Sequence, residues 1–283
     1  MNIFYSGDRN TEDGIIISAL SLIKNNDEPI NFYILTAETE NDKRKFYPIS
    51  EEFGILLDGY VKKINSKNSA KLINITDRFM NNPPVKNMNT RFTPFCMLRL
   101  YADEVSELPD KILYLDNDVL CRKSIEEFYN QDLSDYDLAG VLDYYGRWFF
   151  KRNIFKFDYL NSGVLLLNLK KIRQDGLFYR CRQKCAEDEM FMPDQSAINK
   201  LCDKKLILSR RYNEQRKLKK STVMQHFTTS FRLFPFIHTV SVKPWNIERL
   251  HSVLKIYEYD DILNDYLKIK ADKAKKSEED SNE

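Results

Sequence analysis

Three short runs of this sequence, 112–115, 138–142 and 164–167, are apolar almost throughout, and they constrain the fold more than any other feature. A strand that is apolar on both faces is buried on both faces, which is typical of the centre of a parallel sheet. Segments of helical period alternate with such runs, as in residues 11–24, where Ile16, Leu20 and Ile23 recur at helical spacing. The sequence therefore predicts an α/β protein whose Rossmann-like, mostly parallel sheet is flanked by helices.

The remaining elements are predicted from shorter patterns. Residues 3–5 and 31–35 are predicted as strands, and residues 39–53 as a helix. A further strand is predicted within 56–64, and a helix over 95–105 that carries Leu98 and Leu100.

Composition excludes some classes of function. The chain has 283 residues and a net charge of +2, so no overall positive field favours a nucleic-acid partner. No apolar run approaches the roughly 20 residues that span a bilayer, and the first residues lack the pattern of an export signal. The five cysteines have no paired spacing, so we expect reduced thiols in a cytoplasmic protein.

Two Asp-x-Asp pairs occur, about as many as chance gives in a chain with 24 Asp. Asp135-Tyr136-Asp137 lies in a polar turn and is predicted to be solvated or to cap the next strand. Asp116-Asn117-Asp118 instead follows the buried run 112–115 directly, at the carboxyl end of a strand, where ligands bind in open parallel sheets. Only its context distinguishes it.

Two neighbouring carboxylates repel one another unless a positive charge lies between them. A divalent cation supplies that charge, and hard oxygen ligands favour Mg²⁺ or Mn²⁺. Such a cation can bind a diphosphate and stabilise it as a leaving group. The alternative is a pair of solvated turn aspartates, and the pair alone does not decide between the two.

Several separated segments resemble glycosyltransferase family 8, the family of glycogenin and of bacterial lipopolysaccharide galactosyl- and glucosyltransferases. The similar segments, spread over most of residues 1–245, are Tyr114-Leu115-Asp116-Asn117-Asp118-Val119-Leu120, Asn161-Ser162-Gly163-Val164-Leu165-Leu166-Leu167-Asn168-Leu169, Asp194-Gln195 and Lys243-Pro244-Trp245, with Arg99-Leu100 and Asp8-x-Asn10 upstream. The resemblance implies a GT-A fold, a UDP-glucose or UDP-galactose donor, manganese (or magnesium), and retention of anomeric configuration. We expect as acceptor a saccharide or a lipid-linked or protein-linked glycan. The Lys-, Asn- and Ile-rich composition with only 8 Gly favours a bacterial source.

The extent of the resemblance and the composition of the tail together predict a domain division. Residues 1–245 would form the catalytic domain and 246–267 a helical extension, while the very polar residues 268–283 would form a disordered tail. Peripheral contact with a membrane through this tail is an alternative to a fully solvated tail.

The resemblance assigns three metal ligands, Asp116, Asp118 and His226. A neutral imidazole suits manganese better than calcium, although a histidine at a strand end is more often simply hydrogen-bonded. Lys243 would neutralise diphosphate oxygens; a turn lysine before a proline is the alternative.

The same resemblance assigns the donor-binding residues. Asp8 would accept a hydrogen bond from the uracil or ribose, and Asn10 would contact the nucleotide or cap the next helix. The substrate-binding set is completed by Arg99, Asn117, Asn161, Ser162 and Gly163. Asp143 is added to it because it closes an apolar strand at the same sheet edge, where it would contact the donor or the acceptor. Asp194 would hold donor hydroxyls, and the Gln195 carbonyl would face the anomeric carbon in the catalytic pair.

Two aromatic-rich segments depart from the family pattern or flank the site. Residues 228–242 intervene between His226 and Lys243, where the family has only a few residues, and are predicted to form a lid or an acceptor platform. Residues 144–150 are predicted to lie on the acceptor side.

Two alternative functions remain, a sugar-phosphate nucleotidylyltransferase and a catalytically silent UDP-sugar-binding subunit. The first lacks support from a glycine-rich phosphate loop, and the second is disfavoured by the intact candidate residues.

Overall fold

The computed structural model describes residues 1–90, 93–146, 158–232 and 238–280. Its strands are β1 Asn2–Gly7, β2 Asn31–Thr36, β3 Thr39–Glu40, β4 Lys45–Phe46, β5 Ser69–Asn74, β6 Lys111–Leu115, β7 Val119–Cys121, β8 Leu138–Leu142, β9 Leu160–Asn168, β10 Lys205–Ile207, β11 Met224–His226, β12 Ser230–Arg232 and β13 His238–Val240.

The α-helices are α1 Glu12–Lys24, α2 Glu51–Ile64, α3 Thr76–Asn81, α4 Glu126–Tyr129, α5 Leu169–Asp175, α6 Leu177–Glu187, α7 Pro193–Leu201, α8 Ile247–Arg249 and α9 Asp260–Asp280. Four 3₁₀ helices cover Arg9–Thr11, Val85–Asn87, Pro94–Glu104 and Arg210–Tyr212, and a π-helix covers Leu250–Leu254. No helix in the described ranges is both long and apolar enough to cross a bilayer.

Seven strands form the central sheet in the order β10-β8-β9-β6-β1-β2-β5. The pairs β1/β2, β1/β6, β2/β5 and β8/β10 are parallel, whereas β9 runs antiparallel to both of its neighbours. The predicted mostly parallel α/β sheet is confirmed.

Alternation along β6 divides the core between the two faces of the sheet. Leu113 and Leu115 pack into the cluster that includes α1, α2 and α9, while Ile112 and Tyr114 pack into the cluster beneath α6 and α7. Because both faces are covered, the run is apolar throughout, and the carboxylates begin where the strand emerges at Asp116.

The prediction of a strand within 56–64 is wrong, as is most of the helix predicted over 39–53. Helix α2 begins after Ser50, whose hydroxyl accepts a hydrogen bond from the Phe53 N–H at 3.2 Å, as an N-cap does. Its buried positions Phe53, Leu57 and Val61 recur every four residues, which is helical spacing.

Asp137 was predicted to be solvated or to cap the next strand, and the structure excludes the solvated state, because the residue is only 7% exposed. Its N–H donates to the Lys204 carbonyl at 2.8 Å, and burial raises the pKa of its carboxyl, an effect that Lys171 partly offsets.

The boundary predicted between residues 267 and 268 lies inside α9, which continues to Asp280. Ion pairs tie this helix to the start of α1: Lys270 contacts Asp13 at 3.1 Å and Lys273 contacts Glu12 at 3.0 Å. Residues 268–280 are therefore helical, and the three-part division of the chain remains a prediction.

Candidate functional site

The candidate site lies at the carboxyl edge of the sheet, where four elements meet. The segment after β6 supplies Asp116 and Asp118, β9 supplies residues 161–163, the first turn of α7 supplies Asp194 and Gln195, and β11 supplies His226. Strand β11 pairs antiparallel with β7 so that His226 is opposite Val119, and the Phe227 N–H donates to the Asp118 carbonyl at 3.0 Å. This register brings the histidine beside the aspartates.

Asp116, Asp118 and His226 form a compact set of metal-type ligands, whose ligand atoms all lie within 4.8 Å of one another. His226 Nε2 lies 3.1 Å from Asp118 Oδ1 and 3.5 Å from Asp116 Oδ2. Two ligands at right angles, each about 2.1 Å from one octahedral ion, are separated by about 3 Å. Two carboxylates and an imidazole at these spacings fit a divalent cation of the manganese or magnesium type.

Lys243 supplies a positive charge next to this set. Its ammonium donates to Asp118 Oδ2 and, at 3.0 Å, to the carbonyl of Phe227. Burial alone would raise the pKa of the Asp118 carboxyl, but Lys243 and His226 outweigh that effect and hold the pKa below its usual value. Asp118 is therefore a carboxylate in the folded protein.

Arg99 is buried under the same edge and connects three parts of the site. It donates to Asp116 Oδ1 at 2.8 Å and to the Ser162 carbonyl at 2.5 Å, and its Nε lies 3.3 Å from Asp194 Oδ2. Its guanidinium carbon lies 4.1 Å from the centre of the Tyr114 ring, a cation–π contact. Arg99 is therefore a buried residue that holds the carboxylates of Asp116 and Asp194 in position.

Tyr114 adds a second donor to Asp116. Burial raises the pKa of its hydroxyl well above the ordinary value, so the hydroxyl stays protonated and donates to Asp116 Oδ1 at 2.8 Å. With Arg99 on the same oxygen, Asp116 Oδ2 is left to face His226.

A chain of amides runs from Asp143 to His226. Asp143 Oδ2 accepts from the Asn161 amide nitrogen at 2.9 Å, and Asn161 Oδ1 accepts from the Asn213 amide nitrogen at 2.9 Å. Asn213 Oδ1 then lies 3.2 Å from His226 Nδ1. Because a carboxylate can only accept, the chain fixes the direction of each amide, and Nδ1 carries the hydrogen. In the neutral imidazole that binds a metal, the free lone pair is therefore on Nε2, the atom that faces Asp116 and Asp118.

Gln195 is held by the same group of residues. Its amide nitrogen donates to Asp143 Oδ2 at 3.2 Å, and its carbonyl oxygen accepts from the Ser162 N–H at 2.9 Å. The carbonyl thus faces strand β9 in this structure. Asp143 also accepts from the backbone N–H groups of Tyr145 and Gly146, so its carboxylate organises the site.

Steric crowding explains why residue 163 is a glycine. A Cβ at this position would lie 2.2 Å from His226 Cε1 and 2.6 Å from Asp116 Oδ2. The sequence predicts a close approach of backbone to the donor, and the observed close approach is to the ligand set itself.

The residues assigned to the nucleotide lie at the amino-terminal end of α1. Asp8 is buried and accepts from the Asn10 side-chain amide at 2.8 Å, so Asn10 orients Asp8 and does not cap the helix. Asn117 lies against α1 as well, since a Cβ on Gly14 would meet both Asn117 and Trp245.

A cavity of about 480 Å³ opens beside His226. Its wall includes Tyr145 and Gln215, together with Ser230 and Val240 from the antiparallel strands β12 and β13. Part of the segment 228–242, predicted to be a lid or an acceptor platform, therefore lines this cavity. Most of the predicted ring-rich segment 144–150 lies outside the described residues, apart from Tyr144, Tyr145 and Gly146.

Solved structures with the same fold are glycosyltransferases. The galactosyltransferase LgtC in complex with donor and acceptor sugar analogs aligns with a TM-score of 0.67 and 21% identity, over 94% of this chain and 96% of that one. GlyE of Streptococcus pneumoniae aligns with a TM-score of 0.60 and 18% identity, over 94% of this chain and 64% of that one. The fold is GT-A, as predicted.

The model of glycosyl transferase family 8 matches residues 2–248, and the chain belongs to that family. The lipopolysaccharide glucosyltransferase WaaO of Escherichia coli is 29% identical over 262 residues, which are 87% of this chain and 73% of WaaO. A putative glycosyltransferase of Haemophilus influenzae is 25% identical over 75% of this chain, and the match spans 63% of that relative. GlyA of Streptococcus pneumoniae is 30% identical over 58% of this chain, which spans only 23% of GlyA.

The structure brings most of the predicted residues to one edge of the sheet. Charged contacts link Arg99 to Asp116, Lys243 to Asp118, and His226 to both aspartates. Hydrogen bonds link Gln195 to Asp143, Asn161 and Ser162. Asn213 was missed, and no sequence signal marks it, because it follows the short 3₁₀ turn Arg210–Tyr212 and belongs to none of the motifs.

Proposed function

We propose that this chain is a metal-dependent, retaining hexosyltransferase that moves glucose or galactose from a UDP-sugar to a glycan, glycolipid or glycoprotein acceptor. The observation that carries the proposal is the Asp116, Asp118 and His226 set at the carboxyl edge of the sheet in a family 8 glycosyltransferase. The names of its relatives support a glucosyl or galactosyl donor.

Each group at this edge has a task in such a reaction. A divalent cation held by Asp116, Asp118 and His226 would neutralise the charge that develops on the departing diphosphate. We assign to Lys243, which is paired with Asp118, a hydrogen bond to the diphosphate oxygens from the same side. We assign the uridine to Asp8, Asn10 and Asn117 at the start of α1.

We assign the donor sugar to the polar residues of β9 and α7. Asp194 Oδ2 is buried and accepts no hydrogen bond from the described residues, although Arg99 lies 3.3 Å away, so it can accept one from a sugar hydroxyl. Asn161 and Ser162 lie beside it, and Gln195 links them to Asp143. We assign Gln195 and Asp194 to the reacting face of the sugar.

The test is release of UDP from a panel of UDP-sugars, measured with added Mn²⁺, with Mg²⁺ and with excess chelator. We expect release from UDP-glucose or UDP-galactose that is lost with chelator and restored by metal. The anomeric configuration of a transferred product, read by NMR coupling constants, tests retention.

Two alternatives give different results in the same assay. A sugar-phosphate nucleotidylyltransferase would consume UTP with a sugar 1-phosphate and release no UDP from any donor. A silent UDP-sugar-binding subunit would bind UDP without turnover. Either outcome would refute the proposal.

A further inference from the structure

The cavity beside His226 is separate from the residues that we assign to the donor. Of the proposed donor and metal residues, only His226 contributes to its wall. The uridine residues at α1 and the sugar residues on β9 and α7 do not line it. In a transferase with two substrates, we assign to the acceptor the compartment that touches the proposed metal ligand His226 but no donor residue. This step rests on the proposed function.

The wall of this cavity is positively charged. Arg216, Lys217 and Lys255 line it and are exposed, and Glu258 is the one acidic residue among the described lining residues. Lys217 and Lys255 make no ion pair or hydrogen bond with described residues through their side chains. Arg216 donates to the Tyr144 hydroxyl at 2.6 Å and stacks on that ring, which fixes its direction. Unpaired ammonium groups at a concave wall are suited to bind an anion.

The backbone at Lys255 supports the same conclusion. Lys255 has φ 56° and ψ 38°, and it is the only non-glycine residue with positive φ in the described ranges. This left-handed conformation at a helix end is normally taken by glycine or asparagine, because it strains other side chains. The strained position carries a lysine that lines the cavity. A backbone outlier of this kind is a reason to propose a function for the residue that occupies it.

The positive charge continues outward from the cavity. Lys219 and Lys220 follow Lys217 along the exposed loop, and Arg122 and Lys123 donate to the carbonyls of Lys219 and Lys220 at 2.9 and 2.6 Å. Since the whole chain carries only +2, this is a local concentration of charge. Such a field attracts anions from beyond direct contact.

We propose that the acceptor is an anionic saccharide, with a phosphate ester or a carboxylate near the accepting hydroxyl, and that Lys217 and Lys255 bind this charge with Arg216. A neutral acceptor gives these unpaired cations no partner. A membrane of anionic lipids is the competing explanation for the basic loop. The saccharide is favoured because the cations line a concave cavity next to the metal ligands.

The test uses the full chain, labelled donor sugar, and matched oligosaccharides that are neutral, phosphorylated or uronate-containing. We expect transfer to at least one anionic member with a kcat/KM roughly fivefold or more above that of its neutral partner, as two exposed ion pairs allow. Comparison of the phosphorylated and the uronate-containing acceptors identifies whether the site binds a phosphate ester or a carboxylate. Raising the salt concentration lowers the ratio, because exposed charges are screened beyond about 10 Å at 0.1 M salt.

The variant Lys217→Gln/Lys255→Gln is expected to bring this ratio towards one. Lys63→Gln/Lys86→Gln removes the same charge from exposed positions elsewhere and keeps the wild-type ratio. Thermal unfolding midpoints check that both variants are folded.

Three outcomes overturn the proposal. The first is equal use of neutral and anionic members, and the second is an unchanged ratio in the Lys217→Gln/Lys255→Gln variant. The third is UDP release without transfer to any anionic member, which leaves the proposed function intact. Absence of UDP release from every donor would instead refute the proposed function. If that variant keeps the ratio but no longer sediments with phosphatidylglycerol vesicles, the cations serve a membrane surface.

Discussion

Replacing Asn213 by alanine isolates the contact that orients His226. Asn213 is fully buried, and its Oδ1 lies 3.2 Å from His226 Nδ1. Without this acceptor the imidazole is free to place its hydrogen on Nε2, the atom that faces Asp116 and Asp118. A protonated Nε2 cannot bind a metal, so the substitution acts on metal affinity although residue 213 is not a ligand.

The size of the effect follows from the contacts that are lost. Removing a partner of a metal-bound histidine typically weakens metal binding by about 10- to 100-fold, or about 1.4–2.8 kcal/mol. The stability loss is expected to be smaller, about 1–2 kcal/mol. The reason is that Asn161 Oδ1, which loses the Asn213 donor, keeps the Gly163 N–H at 3.1 Å.

The assay is titration of the chelator-treated protein with Mn²⁺, followed by the electron paramagnetic resonance signal of free Mn²⁺. Urea unfolding gives the stability in parallel. Asn87→Ala is the matched control: Asn87 is also fully buried and hydrogen-bonded, but its amide contacts Cys185 and Asp188, away from the site. Asn213→Asp retains an acceptor for His226 Nδ1 and is expected to bind Mn²⁺ more tightly than Asn213→Ala.

A single result would refute this reasoning. If Asn213→Ala loses stability to the same extent as Asn87→Ala yet binds Mn²⁺ as the wild type does, the amide chain does not set the orientation of His226.

Three further predictions test other parts of the fold and site. Gly163→Ala should lower UDP release by about 100-fold or more, because its Cβ would displace His226 or Asp116. Gly140→Ala in the same sheet should be far milder, because its Cβ would meet the ends of two leucine side chains at 3.0 and 3.3 Å and a backbone oxygen at 3.4 Å. Arg99→Lys should lower the free energy of unfolding in urea by about 2–4 kcal/mol and remove most of the activity. The reason is that an ammonium cannot hold Asp116, Asp194 and the Ser162 carbonyl together. A stable, active variant would contradict this prediction. Asp137→Asn should stabilise the protein at pH 7, because burial raises the pKa of Asp137 in the folded state and so penalises its ionised form above that pKa. The gain in stability should vanish as the pH falls below the unfolded pKa of 3.8. A loss of stability at pH 7 would show that the attraction of Lys171 outweighs the cost of burial.

The central strands could be predicted because runs of consecutive apolar residues indicate that both of their faces are buried. The runs around β6, β8 and β9 are apolar on both faces, and no other common element requires that in so few residues. Helix α2 could not be distinguished in the same way. Its apolar positions include exposed Ile55 at 74%, and this extra residue disguises the helical period of Phe53, Leu57 and Val61. The Ser50 cap was the signal that would have corrected it.

The site divides along a similar line. Asp116 and Asp118 could be placed from the end of one strand, because topology alone puts that end at the ligand-binding edge. His226 reaches them only through the register of β11 on β7, a pairing between segments about a hundred residues apart along the chain. A shift of one residue would turn the imidazole to the other face. Asn213 depends in turn on where His226 arrives, so its role exists only in the assembled structure. Local pattern therefore predicts the carboxylates, whereas the partners that set the imidazole's direction follow from long-range pairing that no local pattern encodes.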